Sequence, residues 1–295
     1  MLRRAIIGNM DLSQIINAIV LGIVEGITEF LPISSTGHLI IFNQWFRFSD
    51  PAFTKLFDIV IQAGAIFSVI IFFRKKLFPV YRDQTPEIRG DIRSLWLKAV
   101  IAFLPAALIG ILAKHFIDEK LMQPLVVAIA LAFWGAFIVF IETRNNQALK
   151  AGRPFKFDTV KSLTIPIVIA IGYIQCLGMN PGTSRSAATI IGAMLLGASR
   201  IASAEFSFFL AIPTILGASV YSLFDYGKKV GFHLGKGDLI SLAIGTLVAF
   251  LVAWAVVAFL MNFIRKHDFR GFGWYRIALG LGIIVLIALG VQLGT

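Results

Sequence analysis

Six long apolar runs with few charged residues leave this chain few ways to fold. They cover residues 52–73, 95–113, 122–142, 203–223, 239–262 and 276–293. Each is close to the ~20 residues that a helix needs to cross a membrane, and a helix satisfies its own backbone polar groups inside a bilayer. Only 15% of the 295 residues are charged, against about 25% in soluble proteins. The sequence therefore predicts an all-α polytopic membrane protein with six transmembrane helices.

The basic residues lie mostly in the loops between these runs. The loops at 74–93, 143–161 and 263–276 are the richest in Lys and Arg, which places them in the cytoplasm by the positive-inside rule, beside anionic lipid headgroups. Arg3 and Arg4 would then lie outside, against the rule. The net charge of +11 therefore indicates membrane lipids as neighbours and gives no support to a nucleic-acid partner.

Two further apolar regions are interrupted by polar and helix-breaking residues. The region at about 11–48 contains LPISSTG, and the region at about 162–197 contains MNPGTSRS. Irregular backbone at membrane depth is tolerated only where it is buried in protein or lines a wet cavity. Both regions are therefore predicted to form re-entrant helix–loop–helix hairpins.

The two interruptions resemble each other. The stretch from Pro32 to Ser35 matches the stretch from Pro181 to Ser184, 149 residues later, and three apolar runs follow each interruption. This pattern predicts a single membrane domain, residues 1–295, that contains two repeats at about 11–142 and 162–293. An odd number of spans in each repeat would invert the second relative to the first, so that the two interruptions meet near the membrane midplane.

The first interruption is dense in ionisable and hydroxyl side chains, which are costly at membrane depth and usually mark function. They are Glu25, Glu29, Ser34, Ser35, Thr36 and His38. Glutamates four residues apart share a helix face, where they hold a divalent cation, carry protons, or pair with basic groups of the hairpin. The hydroxyls either satisfy freed backbone groups or supply a nucleophile. The histidine is either structural or, if the loop turns back, close enough to Ser35 to activate it.

The second interruption supplies a positive charge. Arg185 is a planar, permanently charged fork that suits phosphate oxygens, and Ser184, Ser186 and the backbone beside Gly182 form a predicted anion site at a helix start. The alternative is a salt bridge from Arg185 to one of the two glutamates, which would bring the two interruptions into contact. Together they offer a nucleophile, a proton-transfer group, a metal site and an anion site, a set typical of phosphoryl transfer.

Four stretches carry a resemblance to a known family. EGITEFLPISSTGH, FDIVIQAGAI, PGTSRSAAT and AEFSFFLAIPT resemble the signature stretches of the undecaprenyl pyrophosphate phosphatase family, also called the bacitracin-resistance protein family. The resemblance spans nearly the whole chain. It implies a bacterial inner-membrane hydrolase that removes the terminal phosphate of a C55 isoprenoid pyrophosphate at a site open to the periplasm. Such an enzyme recycles the monophosphate carrier lipid for peptidoglycan synthesis.

The same resemblance implies roles for individual residues. The family's acidic motif falls on Glu25 and Glu29, its serine nucleophile on Ser35, its histidine on His38 and its arginine on Arg185. We therefore expect the glutamates to hold Mg²⁺ or Ca²⁺ and Ser35 to attack the terminal phosphorus. His38 is expected to take the Ser35 proton or to assist the water that cleaves the phosphoserine. A metal-activated water, with Ser35 as a ligand only, stays open. The family also implies inverted repeats and frequent homodimers.

Residues from both interruptions are expected to bind the pyrophosphate. This set comprises Arg185, Ser184, Ser186, Gly182, Thr36 and Ser34. Three polar residues of the spans, Asp58, Gln62 and Glu205, are expected behind them, hydrogen-bonded to the interrupted backbone.

The competing function is a transporter or flippase for a phosphorylated lipid or an anion. Inverted repeats with broken helices that meet at the midplane are also a transporter layout, in which helix ends bind anions. A carrier has little need of a nucleophile beside a proton-transfer residue. Ser35 and His38 therefore favour the enzyme over the carrier.

Overall fold

The computed structural model of the protein describes residues 12–116, 121, 123–231 and 234–291. Arg3 and Arg4, which are expected on the outer side of the membrane, are not among these residues. The described residues form eleven α-helices: α1 (Leu12–Thr28), α2 (Ser35–Phe42), α3 (Pro51–Phe72), α4 (Arg74–Leu77), α5 (Pro86–Phe116), α6 (Pro124–Lys150), α7 (Ile165–Gln175), α8 (Arg185–Leu195), α9 (Arg200–Val230), α10 (Lys236–Phe263) and α11 (Arg270–Ala288).

Six of these helices, α3, α5, α6, α9, α10 and α11, are long and apolar enough to cross a membrane. This confirms the predicted all-helical architecture with six transmembrane helices. Helix α3 begins at Pro51, one residue before the apolar run that predicted it, and the Asp50 carboxylate accepts a hydrogen bond from the backbone N–H of Ala52 at 2.8 Å. A side chain that caps the first turn in this way fixes where a helix begins.

Most of the spanning helices are longer than the apolar runs predicted. Helix α5 begins at Pro86 instead of residue 95, and α11 begins at Arg270 instead of residue 276. Hydropathy marks only the part of a helix that lies in lipid, whereas hydrogen bonding continues into the polar flanks. As a consequence Arg276, assigned from the sequence to a basic loop, lies inside a spanning helix.

The two interrupted regions each form a pair of helices joined by an irregular turn. Helices α1 and α2 flank the first turn, and α7 and α8 flank the second, which begins with a short 3₁₀ helix at Cys176–Met179. We refer to residues 29–36 as the first tip and to residues 180–186 as the second tip. That these pairs are re-entrant in the membrane stays a prediction.

The helices of the two halves exchange partners. Helix α1 of the first half packs on α10 of the second, and α7 of the second half packs on α5 of the first. In the same way, α3 of the first half packs on α10 of the second, and α9 of the second half packs on α5 of the first. Helices α3 and α9 also contact each other, and so do α6 and α11. The halves therefore correspond in helix order and in packing partners. The division into two inverted repeats stays a prediction that this arrangement supports.

Backbone conformation corrects the predicted alignment of the two halves by one residue. Ser34 and Ser184 have φ angles of 75° and 73°, and they are the two residues other than glycine with positive φ in the described part of the chain. They are 150 residues apart, whereas the matched letters are 149 apart. The structural equivalent of Ser35 is therefore Arg185, so one half places a hydroxyl where the other places a guanidinium.

A close helix contact gives a test of this packing. Helix α7 approaches α5 at Gly172, where an added Cβ atom would lie 2.5 Å from the carbonyl oxygen of Ala102. Because the clash involves backbone, we expect Gly172→Ala to force the helices apart and to cost about 1–3 kcal/mol of stability. The measurement is the thermal unfolding midpoint of the purified protein in one detergent.

Gly282→Ala is the matched control for this substitution. Gly282 lies in α11, and among the described residues no atom lies within 4 Å of the place that an added Cβ atom would take. We expect its unfolding midpoint to equal or slightly exceed that of the unmodified protein, because alanine has a higher helix propensity than glycine. Equal midpoints for the two variants would show that the α5–α7 contact is wrong.

Candidate active site

Each tip ends where a helix begins. Ser34 caps α2, its hydroxyl accepting a hydrogen bond from the Gly37 N–H at 3.3 Å, and Ser184 caps α8 by accepting from the Ala187 N–H at 3.2 Å. The backbone N–H groups at a helix start carry partial positive charge and bind anions. Two such starts converge here, because the first residues of both helices line one cavity.

The cavity has a volume of about 170 Å³, and most of the residues that line it are polar. The first tip contributes Glu29, Ser35 and Thr36, and the second contributes Gly182, Ser184 and Arg185. Helices α3 and α9 add the side chains of Gln62 and Thr214. Six of the predicted site residues thus share one space, although they come from segments about 150 residues apart.

A chain of hydrogen bonds crosses this cavity from one tip to the other. The Ser35 hydroxyl donates to Oε2 of Glu29 at 2.7 Å, and Nη2 of Arg185 donates to Oε1 of the same carboxylate at 2.9 Å. The side chains of Glu29 and Arg185 are only 8% and 13% exposed, so water screens the pair weakly. The predicted alternative of a salt bridge between the tips is therefore what the structure shows, and it holds the carboxylate against the hydroxyl.

The Arg185 guanidinium is not saturated by protein groups. Its Nη1 donates to the carbonyl of Ser207 at 3.1 Å, while Nε has no partner among the described residues. Five N–H donors and a permanent charge exceed what one carboxylate and one carbonyl accept. The arrangement can therefore receive an anion at the cavity by exchange with Glu29.

His38 is placed differently from the expectation. Its Nδ1 lies 2.7 Å from the Ser34 carbonyl oxygen, and its Nε2 lies 2.7 Å from the hydroxyl of Tyr275, on whose ring it stacks. Of the two alternatives, the structure shows the one without a contact to Ser35, because the side chain of His38, the fourth residue of α2, points back to the preceding turn while the Ser35 hydroxyl donates to Glu29. Both ring nitrogens are occupied, and a catalytic role for His38 stays a prediction.

Glu25 is fully buried and lies behind the cavity wall. Neither of its carboxylate oxygens has a hydrogen-bond donor among the described residues. The ionisable side chains of Glu29, Asp58 and Arg185 are its neighbours. Two buried acceptor oxygens without a donor fit a cation, and a metal site at Glu25 and Glu29 stays a prediction.

The protein groups alone do not complete a metal site. In the described ranges no group of three or more His, Cys, Asp or Glu side chains is arranged to hold a metal ion. Mg²⁺ commonly takes one or two carboxylates and fills its other positions with water and substrate phosphate oxygens. The residues present therefore fit a cation that is shared with a phosphorylated substrate.

Two predicted substrate-binding residues do not line the cavity, and their hydroxyl groups bind backbone instead. Ser34 spends its hydroxyl on the cap of α2, and the Ser186 hydroxyl donates to the Leu31 carbonyl of the first tip at 3.0 Å. Hydroxyl groups at a helix break commonly satisfy freed backbone groups. Ser34 and Ser186 do not line the cavity, whereas Thr36, Gly182 and Ser184 do. Contact of these residues with substrate stays a prediction.

The three polar residues expected behind the tips have three different positions. Gln62 lines the cavity itself. Asp58 accepts a hydrogen bond at 2.8 Å from the side chain of Asn43, which follows α2. Glu205 pairs with Lys76 at 2.7 Å, so the expected support of a tip by Glu205 is wrong.

Arg276, which is not among the predicted site residues, contacts both tips from behind. Arg276 is fully buried, and its Nη1 donates to the carbonyl of Pro32 at 3.1 Å. Its Nη2 donates to the carbonyls of Gly182 at 2.6 Å and Thr183 at 2.9 Å. The signal was an arginine at the edge of an apolar run, where loop and helix assignments compete.

The fold and the site together define a class of protein. It is an integral membrane protein with a polar cavity, in which the hydroxyl of a serine and the guanidinium of an arginine both donate to one carboxylate between two helix starts. Such a site handles an anionic group, and the hydroxyl beside a carboxylate equips it for group transfer.

Comparison with known proteins identifies the family. Residues 18–282 match the family described as Bacitracin resistance protein BacA, and the chain belongs to this family. It is 48% identical to Undecaprenyl-diphosphatase 1 of Oenococcus oeni, over 94% of this chain and 98% of that protein. It is 44% identical to the Undecaprenyl-diphosphatase of Enterococcus faecalis, over 95% and 99%. The Undecaprenyl-diphosphatase of Limosilactobacillus fermentum is 45% identical, over 94% and 98%. The resemblance seen in the sequence motifs is confirmed.

Proposed function

We propose that this protein is a membrane phosphatase that hydrolyses undecaprenyl diphosphate to undecaprenyl monophosphate and phosphate. The observation that carries the proposal is the hydrogen-bonded chain Ser35–Glu29–Arg185 in a cavity between two helix starts. Relatives that match almost the whole chain are named for this activity. The product is the carrier lipid that cell-wall synthesis requires.

The transporter alternative is not favoured. A carrier for a phosphorylated lipid would use the arginine and the helix starts, but it would not need a serine hydroxyl held at 2.7 Å from a carboxylate. That contact has a direct use in catalysis, because a carboxylate that accepts the hydroxyl proton makes the oxygen a better nucleophile.

The first half of the reaction follows from these contacts. Arg185 and the N–H groups at the starts of α2 and α8 bind the terminal phosphoryl group, displacing the ion pair to Glu29. The Ser35 oxygen attacks the terminal phosphorus while Glu29 accepts the hydroxyl proton. The bond from this phosphorus to the bridging oxygen breaks, and undecaprenyl monophosphate leaves with the electron pair.

The second half returns the enzyme to its starting state. A water molecule attacks the phosphoserine, its proton is taken by a carboxylate or by His38, and the Ser35 oxygen leaves and is reprotonated. Phosphate is released from the arginine. Direct attack by a metal-activated water, with Ser35 as a ligand only, is the competing route and predicts no phosphoserine.

Glu25 and Glu29 are the residues that would hold Mg²⁺ or Ca²⁺. When bound, the cation neutralises charge on the phosphate oxygens and so lowers the cost of bringing a nucleophile to a dianion. The buried carboxylate of Glu25, which lacks a donor among the described residues, supports this assignment.

The protein is a multi-pass membrane protein, and its apolar outer surface contacts membrane lipids. We place it in the bacterial inner membrane with the cavity open to the periplasm. The basic loops at 74–93 and 143–161 support this orientation, because the positive-inside rule assigns them to the cytoplasmic side of the membrane. The undecaprenyl chain would stay in the lipid phase, since leaving it costs ~0.8 kcal/mol per CH₂ group. We include a homodimer in the proposal because the family resemblance implies one.

Phosphate release from undecaprenyl diphosphate by the purified protein in detergent tests the function. We expect release with Mg²⁺ or Ca²⁺ and a loss of about 100-fold or more with EDTA, because electrostatic stabilisation by a metal is worth several kcal/mol. Restoring the divalent cation is expected to restore the rate. The absence of release with every divalent cation would contradict the phosphatase function, whereas full activity in EDTA would contradict only the metal.

A further inference from the structure

Arg276 has no place in the chemistry described above, yet it is the largest fully buried polar side chain near the site. A charged group at this depth is costly unless strong hydrogen bonds compensate it. It does not line the cavity, so contact with the substrate does not explain it. Its three hydrogen bonds all go to backbone carbonyl groups of the two tips.

The backbone of the tips explains why a donor is required there. Both tips leave the helical path, with Ser34 and Ser184 in the left-handed region. Among the described residues, no backbone N–H donates to the carbonyl groups of Pro32, Gly182 and Thr183. Buried carbonyl groups without donors destabilise a loop at membrane depth. Pro32 of the first tip and Gly182 and Thr183 of the second present their oxygens to one guanidinium.

The shape of the guanidinium matters as well as its charge. Nη1 binds the first tip and Nη2 binds the second, so the rigid planar fork sets the separation between the two backbones. A lysine ammonium is a single point donor on a flexible stem and cannot impose that separation. The same separation determines whether Arg185, on the second tip, reaches the carboxylate that holds Ser35.

We propose that Arg276 is a positioning residue that fixes the register of the two tips, so that the nucleophile side and the anion-binding side of the cavity meet. It acts through the backbone of the tips and touches no reacting atom. This inference rests on the proposed phosphatase function and adds a residue of the last spanning helix to its machinery.

A double-mutant cycle between Arg276 and Arg185 tests this inference. We expect Arg276→Gln to lower kcat about 100-fold, the loss that a displacement of about 1 Å produces at a reacting centre. In the Arg185→Ala background the same substitution should lower kcat by less than about fivefold, because the alignment it supplies has no remaining use. Equal losses in both backgrounds would indicate a merely structural role and overturn the inference.

The matched control is Arg200→Gln. Arg200 is also a largely buried arginine that joins separate helices, through hydrogen bonds to Glu142 at 2.9 and 2.6 Å, but it lies away from the cavity. We expect a reduced unfolding midpoint with kcat within about threefold of the unmodified protein. If Arg276→Gln does not fold, Arg276→Lys is carried through the same cycle. It should keep one tip in place, lower kcat by a smaller factor and show the same dependence on Arg185.

Hydrogen exchange gives a readout that does not depend on activity. The backbone amides of both tips, residues 29–36 and 180–186, should exchange faster in Arg276→Gln than in the unmodified protein. In Arg200→Gln their exchange rates should not change. Unchanged exchange at either tip would overturn the inference. If the unmodified protein released no phosphate, the proposed function would fail, and the exchange of the tips would still decide the role of Arg276.

Discussion

Ser35→Ala is expected to reduce phosphate release from undecaprenyl diphosphate by a factor of about 10³ or more, because it removes the attacking atom of a covalent route. The change deletes a single oxygen that donates to Glu29 at 2.7 Å, so the Arg185–Glu29 pair and the helix starts are left in place. Binding of the lipid diphosphate should therefore survive. The measurements are kcat for phosphate release and the dissociation constant for a non-hydrolysable diphosphate lipid.

Acid quench after mixing with substrate labelled in the terminal phosphate distinguishes the two routes. The unmodified protein should give a phosphoserine at Ser35 within the first turnover, and the variant none. Persistent release in Ser35→Ala without a labelled protein would favour the metal-activated water. Ser241→Ala is the control, since Ser241 is buried in α10 with its hydroxyl unpartnered among the described residues, and its loss should leave both measurements unchanged.

Local patterns in the sequence were sufficient to predict the helices and to locate the two tips. Hydropathy marks a segment that lipid must surround, and proline, glycine and hydroxyl residues mark where a helix stops. Both signals depend on neighbouring residues only. For the same reason the apolar run at 52–73 matches both ends of α3, Pro51–Phe72, to within one residue.

Contacts between distant segments could not be predicted in the same way. His38 meets Tyr275 across 237 positions of the chain, and Arg276 meets Pro32 across 244. No periodicity carries such information. The spacing along α2 suggested that His38 could activate Ser35, whereas in the structure its side chain is hydrogen-bonded to Tyr275 of α11.

The one-residue error in aligning the halves has a physical cause. The letters Pro-x-Ser-Ser and Pro-x-Thr-Ser match at 149 residues, but the turn geometry is set by the residues with positive φ, Ser34 and Ser184, at 150. Side-chain identity and backbone conformation are different properties. The corrected alignment places Ser35 and Arg185 at equivalent positions, each the first residue of its helix. One backbone arrangement thus presents the nucleophile from one side of the cavity and the cation from the other.

Glu29→Gln is expected to lower the rate of phosphoserine formation by about 10²–10⁴-fold, the range typical for loss of a general base. The side chain keeps its size, but a neutral amide accepts the Ser35 proton poorly. It also has only one oxygen to serve both Ser35 and Arg185, which now bind separate carboxylate oxygens at 2.7 and 2.9 Å. The measurement is the burst phase in rapid-quench experiments, which reports the first chemical step alone.

His38→Gln in the same experiment separates the two candidates for the Ser35 proton. Because His38 is bonded to the Ser34 carbonyl and to Tyr275, and not to Ser35, we expect a burst rate within about tenfold of the unmodified protein. Glu205→Gln is the control for removing a carboxylate, since Glu205 pairs with Lys76 away from the cavity and should leave the burst unchanged. A burst that disappears in His38→Gln and persists in Glu29→Gln would reverse the assignment. It would mean that the histidine leaves Tyr275 and turns to Ser35 when the lipid diphosphate binds.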